Sequence, residues 1–200
     1  MIRRQVLTIG AAALAALLTV TACSSGNQAA TSSSMSTGTS ASSSAPAAQA
    51  HNQSDVTFAQ DMIPHHQQAV QMSDIILGKQ GIDPRVVQLA NQIKAAQGPE
   101  IQQMQGWLSQ WGQPTMSMAP GMVMPGMLAD QDISALQNAQ GADASKLFLT
   151  GMIQHHQGAI AMAQDEIKSG QNPPAVALAH SIVTSQQQEI NTMQTILGSL

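Results

Sequence analysis

One segment of this chain occurs twice. Residues 58–72 read FAQDMIPHHQQAVQM and residues 148–162 read FLTGMIQHHQGAIAM, with identical residues at 8 of 15 positions. The similarity continues further along, because 89–104 and 178–193 share Leu, Ala, Ile, Gln, Glu, Ile and Met at equivalent places. Equivalent sequences build equivalent structural units, so the chain is constrained to a fold with an internal repeat.

The spacing of apolar residues in each repeat predicts two helices. In the first copy, apolar or motif residues recur at intervals of 4, 3, 4, 3 and 4 from Phe58 to Ile76, as on one face of a packed helix. Asp83-Pro84 then starts a second helix, with Asp as N-cap and Pro at the first helical position, that runs to about Trp111. Short turns between helices make antiparallel neighbours, so the prediction is an all-α four-helix bundle of two repeated αα-hairpins.

The N-terminal residues predict export and lipid attachment. Arg3 and Arg4 precede an apolar stretch that ends in small residues before Cys23, the only cysteine. This pattern is a secretory signal and resembles a bacterial lipobox, in which the cysteine carries the lipid that anchors the protein to a membrane. An ordinary signal peptide cut nearby is the alternative, with Cys23 discarded or left as a free thiol.

The predicted domain organisation follows from these patterns. Residues 1–23 are the signal peptide, 24–54 are a Ser/Ala/Thr-rich disordered tether, and 55–200 are the bundle. Within the bundle, repeat one spans 55–111, a long crossover spans 112–145, and repeat two spans 146–200. The crossover is expected to contain a short helix around 132–139.

Two places break the repeat. Pro64 lies inside the first helix where the second copy has Gln154, which predicts a kink or a late helix start. Gly98-Pro99 lies inside the second helix, where a bend or break is expected beside Glu100.

The charge and aromatic content exclude a nucleic-acid partner. Lys and Arg total 7 against 11 Asp and Glu, for a net charge of -4, and aromatic residues make up 2% of the chain. The sequence has no basic patch for phosphates and few rings on which bases could stack.

The duplicated residues include types that bind soft metal ions. Histidine is the commonest metal ligand and the Met thioether is a soft one. Glu100 and Glu189 occupy equivalent positions and are expected to accept hydrogen bonds from histidines, which would fix the ring tautomer. A Glu–His network without metal is the alternative. The candidate metal-site residues in the bundle are His65, His66, Met62, Met72, His155, His156, Met152, Met162, Glu100, Glu189, Met104 and Met193.

Neighbouring residues on a helix point about 100° apart, so the two members of one His-His pair should not bind the same ion. His65 and His155 share a helix face with the methionines. His66 and His156 are expected to point to the flank, towards Glu or towards solvent.

The crossover offers a second candidate site made of thioethers. Thioethers select Cu(I), and a flexible Met-rich loop can wrap a low-coordinate ion. A hydrophobic lid packed across the end of the bundle is the alternative. The loop methionines are Met116, Met118, Met122, Met124 and Met127.

The pattern MIxHHxxA(V/I)xM followed by QxxEIxxM, present twice, resembles the DUF305 family of exported bacterial proteins. The resemblance implies a ferritin-like four-helix fold and, for some members, a role in copper binding and copper tolerance. The Glu-x-x-His signature of carboxylate di-iron proteins is absent, which argues against di-iron oxidase chemistry.

These observations predict a lipid-anchored, extracytoplasmic protein that binds copper as Cu(I) and is not an enzyme. Its partners would be the membrane and copper-donor or copper-acceptor proteins. The alternatives are a metal-free structural or interaction module of the cell envelope and a metal-dependent redox enzyme.

Overall fold

The computed structural model describes residues 50–117 and 124–200, and within these ranges all regular structure is helical. The predicted all-α class is confirmed. The five helices are α1 (Gln53–Leu77), α2 (Pro84–Gln110), α3 (Asp130–Asn138), α4 (Gly141–Ser169) and α5 (Pro173–Leu197).

Capping side chains set the helix starts. The Asp83 carboxylate accepts from the backbone N–H of Arg85 at 2.8 Å, with Pro84 as the first helical residue, as the sequence predicted. Asn52 caps α1 through a capping box with Asp55, so α1 starts two residues before residue 55. Helix α3 lies within two residues of the short helix expected in the crossover.

Both helices that contain an internal proline are continuous. The sequence predicted a kink or a late start at Pro64 and a bend or a break at Pro99; the late start and the break are ruled out, because α1 begins before Pro64 and α2 runs through Pro99. A proline inside a helix removes one hydrogen bond and costs roughly 3 kcal/mol. Buried side chains lie on both sides of each proline, and this tertiary packing outweighs the local loss.

The long helices pack as two hairpins, α1 with α2 and α4 with α5. The hairpins meet mainly through α1 and α4, while α2 and α5 touch only slightly, and α3 packs on α1 and α4. None of the helices in the described ranges combines the length and apolarity that a bilayer span requires.

A buried carboxylate joins the start of α1 to the turn between α4 and α5. Asp55 accepts hydrogen bonds from the backbone N–H of Asn52 at 2.6 Å, of Gln171 at 3.1 Å and of Asn172 at 2.8 Å. Three N–H donors around one carboxylate fix the ends of the two hairpins relative to each other.

The core consists of two apolar clusters, each built from all four long helices. The Phe58 cluster contains the start of α1 and the later part of α4, and the Phe148 cluster contains the later part of α1 and the earlier part of α4. Helices α1 and α4 therefore run antiparallel. Along each of them, the His-His pair lies between the two clusters.

Candidate metal centre

The four motif histidines are buried where α1 meets α4. His65, His66, His155 and His156 each have 0% of their surface exposed. The rings of His65 and His155 are in contact, with centroids 3.8 Å apart and planes tilted by 42°. The structure thus brings together the two histidines that the sequence placed on equivalent faces.

The other two histidines are paired with glutamates. His66 Nε2 lies 2.8 Å from Glu100 Oε2, and His156 Nε2 lies 2.6 Å from Glu189 Oε2. Because a carboxylate accepts, each Nε2 donates its proton, and each Nδ1 has a lone pair when the ring is neutral. Of the two directions expected for these histidines, the structure shows the one towards Glu.

His65 has a different partner, a backbone carbonyl of the crossover. Its Nε2 lies 3.1 Å from the Pro125 oxygen. A carbonyl can only accept, so His65 Nε2 carries the hydrogen and Nδ1 keeps its lone pair.

Burial keeps the central pair neutral. The pKa of His65 is lowered to about 3, mainly by burial; positive charge on His66 and His156 acts in the same direction and the hydrogen bond to the Pro125 carbonyl acts against it. Burial also lowers the pKa of His155 well below its ordinary value, with the neighbouring histidines adding to the effect. A neutral imidazole is the form that binds a metal ion.

Two buried glutamines belong to the same region, and the sequence reasoning did not single them out. Gln97 and Gln186 are 2% and 3% exposed and occupy equivalent positions in the repeats, three residues before Glu100 and Glu189. The sequence does contain a signal for them, since both glutamines are among the residues that the two copies share. We call the four histidines, two glutamines and two glutamates the polar layer, because they separate the Phe58 cluster from the Phe148 cluster.

The polar layer contains more unpaired acceptors than unpaired donors. Within the polar layer, the buried atoms without a protein hydrogen-bond partner in the described ranges are Nδ1 of His65, His66 and His156, both ring nitrogens of His155, both amide atoms of Gln97, and Oε1 of Gln186. In neutral rings, the first three nitrogens are acceptors. A neutral His155 offers one lone pair and one N–H. The acceptors are then four imidazole nitrogens and two amide oxygens, against one ring N–H and one amide NH₂. Buried lone pairs in such excess are satisfied by a cation or by ordered water.

The methionines are arranged symmetrically around this layer. Three methionines of one repeat have equivalents in the other, and each apolar cluster contains one member of each equivalent pair. Met162 is half-buried at the edge of its cluster, and the other five are fully buried. The Phe58 cluster holds Met62, Met104 and Met162, and the Phe148 cluster holds Met152, Met193 and Met72. The candidate thioethers thus form two triads on opposite sides of the histidines.

The described residues hold no ready-made shell of His, Cys, Asp and Glu ligands. In residues 50–117 and 124–200, no three His, Cys, Asp or Glu side chains are grouped to hold a metal ion. The described contacts of Glu100 and Glu189 are with histidines, which is an orienting position.

The crossover methionines differ in burial. Met116 is 36% exposed, whereas Met124 and Met127 are each 8% exposed. The Met116 thioether is therefore accessible to solvent, whereas the Met124 and Met127 thioethers are buried. Met118, Met122 and the predicted lipidation site Cys23 lie outside the described residues.

Comparison with known proteins identifies the family. The family model for the domain of unknown function DUF305 matches residues 55–197. Uncharacterized protein L153 of Acanthamoeba polyphaga mimivirus is 44% identical over 52 residues, 26% of this chain, and the match spans about a third (34%) of that relative's length.

Solved structures extend this similarity. A DUF305 protein from Streptomyces coelicolor, assigned as secreted, is 36% identical with a TM-score of 0.68, covering 73% of this chain and 93% of its own. Cu(I)-bound CopM is 32% identical with a TM-score of 0.62, covering 72% of this chain and 96% of its own, and CopM has also been solved with Cu(II) and with Ag. The chain belongs to the DUF305 family.

Proposed function

We propose that this protein binds Cu(I) as cargo in the polar layer, in copper handling outside the cytoplasm. The observation that carries the proposal is the set of buried, neutral imidazole lone pairs without protein partners at the contact of His65 and His155. A function in which this region is only packed core would need ordered water to satisfy those atoms.

The available donors favour a soft, low-coordinate ion. Imidazole nitrogens lie in the layer and thioethers lie in the clusters on either side, and thioethers select Cu(I) over hard divalent ions. Glu100 and Glu189 are each hydrogen-bonded to a histidine, so their role in this proposal is to orient the rings. CopM, which is similar over most of its length and binds copper and silver, supports the same ligand class.

The predicted signal and lipobox complete the proposal. Lipid attachment at Cys23 would hold the domain at a membrane surface by a tether, where it would exchange copper with donor or acceptor proteins. The secreted assignment of the Streptomyces coelicolor relative supports export.

A competitive Cu(I) titration of the soluble chain tests the proposal, with Ag(I) and Zn(II) for comparison. Changing His65 and His155 together to Gln keeps buried polar side chains but removes two imidazoles, so we expect Cu(I) affinity to fall by about tenfold or more. His180→Gln is the matched control, because His180 is the exposed histidine of α5. Equal Cu(I) and Ag(I) binding by the double variant and the parent would contradict the assignment.

A second function is favoured by the His66–Glu100 and His156–Glu189 hydrogen bonds, which are complete without a metal ion. In that case the polar layer serves as a buried network that fixes the register of α1 against α4, within a structural module of the envelope. Absence of Cu(I) and Ag(I) binding by the parent chain, together with loss of folding in His66→Gln, would favour this function.

A further inference from the structure

The crossover returns to the bundle through four residues that contact both copies of the motif. We call Pro125–Leu128 the docked segment. On the α1 side, the Leu128 N–H donates to Gln68 Oε1 at 2.8 Å, and Gln68 Nε2 donates to the Leu128 oxygen at 3.0 Å. One glutamine side chain thus satisfies both backbone groups of Leu128, as a neighbouring strand would.

On the α4 side, the docked segment lies directly against helix backbone. A Cβ atom at Gly158 would overlap the Pro125 carbonyl. A Cβ at Gly126 would lie 2.7 Å from the Gln154 oxygen and 2.8 Å from the Gly158 Cα, and Gly126 has a φ of +81°. Only glycine at both positions permits this approach.

Gln68 and Gly158 occupy the same position in the two copies, three residues after His65 and His155. In the first copy, Gln68 forms hydrogen bonds to the docked segment. In the second copy, Gly158 has no side chain, and this absence leaves the space that the segment occupies. This explains a difference inside an otherwise matching stretch, HHQQA against HHQGA.

The docked segment also contacts the metal centre. The Pro125 carbonyl accepts a hydrogen bond from His65 Nε2. Met124, which precedes the segment, and Met127, which is part of it, are each 8% exposed. The His65 ring is fully buried with this carbonyl against it, so the segment forms part of the cover over the His65–His155 pair.

We propose that Gln68 and Gly158 are positioning residues that clamp the docked segment over the His65–His155 pair and thereby control how fast bound metal leaves. The inference rests on the proposed copper function and adds its regulation. Release of metal requires the segment to separate from Gln68, His65 and α4, which breaks three hydrogen bonds and the close backbone contact at Gly158.

Two variants weaken the contacts of the docked segment, one on the α1 side and one on the α4 side. Gln68→Leu removes both hydrogen bonds to Leu128 at a half-buried position, and Gly158→Ala pushes against Pro125. Gly106→Ala is the matched control, since a Cβ at Gly106 in α2 meets nothing within 4 Å. Each full chain is loaded with Ag(I), and release to an excess of chelator is timed alongside hydrogen exchange of the Leu128 amide.

We expect Leu128 exchange to accelerate in both clamp variants. Ag(I) release should accelerate by about tenfold or more in Gln68→Leu, because the two hydrogen bonds to Leu128 are lost, and should also accelerate in Gly158→Ala, because the added methyl group displaces Pro125. Ag(I) stoichiometry should stay at the parent value, and Gly106→Ala should match the parent throughout. A change confined to thermal stability would indicate a structural role only.

The inference is overturned when Leu128 exchange rises while Ag(I) leaves at the parent rate, or when neither clamp variant changes Leu128 exchange. If Gly158→Ala does not fold, Gln68→Leu alone decides between these outcomes. Failure of the copper function is recognised separately, because it shows as absence of Ag(I) binding by the parent or as full binding after loss of His65 and His155.

Discussion

At the scale of single residues, the carboxyl groups of Asp55 and Glu166 form a buried pair away from the polar layer. The pKa of Glu166 is raised to about 8, mainly by burial, with the hydrogen bond and charge of Asp55 acting in the same direction. Burial alone would raise the pKa of Asp55, but the N–H donors of Asn52 and Asn172 and the Glu166 carboxyl bring it below its ordinary value. At neutral pH the pair therefore holds one proton, on Glu166.

The Glu166 proton makes folding stability dependent on pH. The unfolded chain loses this proton near the ordinary Glu pKa of 4.5, whereas the folded chain keeps it to about 8. Between these values the folded state binds more protons, so stability falls as pH rises. Glu166→Gln keeps a neutral side chain at every pH. We expect it to remove this decline and to exceed the parent in stability by on the order of 1 kcal/mol near pH 8.

Urea unfolding of Glu166→Gln and of the parent at about pH 5 and about pH 8 measures this effect. Near pH 5 the two proteins should be similar, because Glu166 is then protonated in the folded parent. Parallel stability profiles for the two proteins would mean that Glu166 is ionised in the fold.

The glutamines of the polar layer give a second prediction at this scale. A buried amide without partners costs roughly 1–3 kcal/mol, so changing Gln97 and Gln186 together to Leu should leave the metal-free protein as stable or more stable. The same change should weaken Cu(I) binding, since it removes polar groups that surround the ion. Denaturant unfolding with and without Ag(I) measures both effects, and a destabilised variant with parental affinity would contradict this expectation.

At the scale of helices, most of the fold could be predicted from spacing and caps. The spacing of apolar residues predicted α1, and Asp83-Pro84 predicted the start of α2. Both could be predicted because these signals depend only on neighbouring residues. Pro64 and Pro99 do not interrupt their helices. The hydrogen bond that each proline removes is a local loss visible in the sequence, whereas the packing that outweighs it involves other helices. Repeat position and helix geometry predicted that His66 and His156 point towards Glu or towards solvent, and the hydrogen bonds to Glu100 and Glu189 show the first of these.

Other parts of the site depend on contacts that no helical period encodes. The approach of Pro125 to His65 requires the path of the crossover. The division of the methionines into two triads requires the antiparallel arrangement of α1 and α4. Sequence spacing placed Met62 and Met72 on one face of α1 but could not show that the polar layer lies between them.

The crossover methionines provide a prediction at the same scale. Changing Met116, Met118, Met122, Met124 and Met127 to Leu deletes sulfur and keeps apolar bulk, so helix content should be unchanged. We expect Cu(I) stoichiometry to fall while the component that depends on His65 and His155 remains. Circular dichroism and metal analysis check the two parts, and parental stoichiometry would show that the crossover thioethers do not bind copper.

At the scale of the whole molecule, neither hairpin has a core of its own. Each apolar cluster contains residues from both repeats, and the polar layer takes four residues from each. Loss of one hairpin would therefore expose half of both clusters, and the two repeats form one cooperative unit.

The attachment of this unit to a membrane is tested at Cys23. Cys23→Ala should leave an unprocessed precursor or release the protein from membranes, because the residue that would receive the lipid is gone. Fractionation of cells expressing the parent and the variant measures this, with Ser24→Ala as a neighbouring control. Normal processing and continued membrane association of Cys23→Ala would rule out the lipobox.

The docked segment has a further consequence for a protein built as two equal halves. The halves carry the same sequence pattern and meet at the touching rings of His65 and His155. A single connection between two such halves cannot contact both in the same way, since it leaves one half and enters the other by one route. Whatever that connection touches becomes different in the two halves, and so the residues three positions after the central histidines no longer have equivalent surroundings. Selection could then act on each of them independently, although they began as copies of one residue.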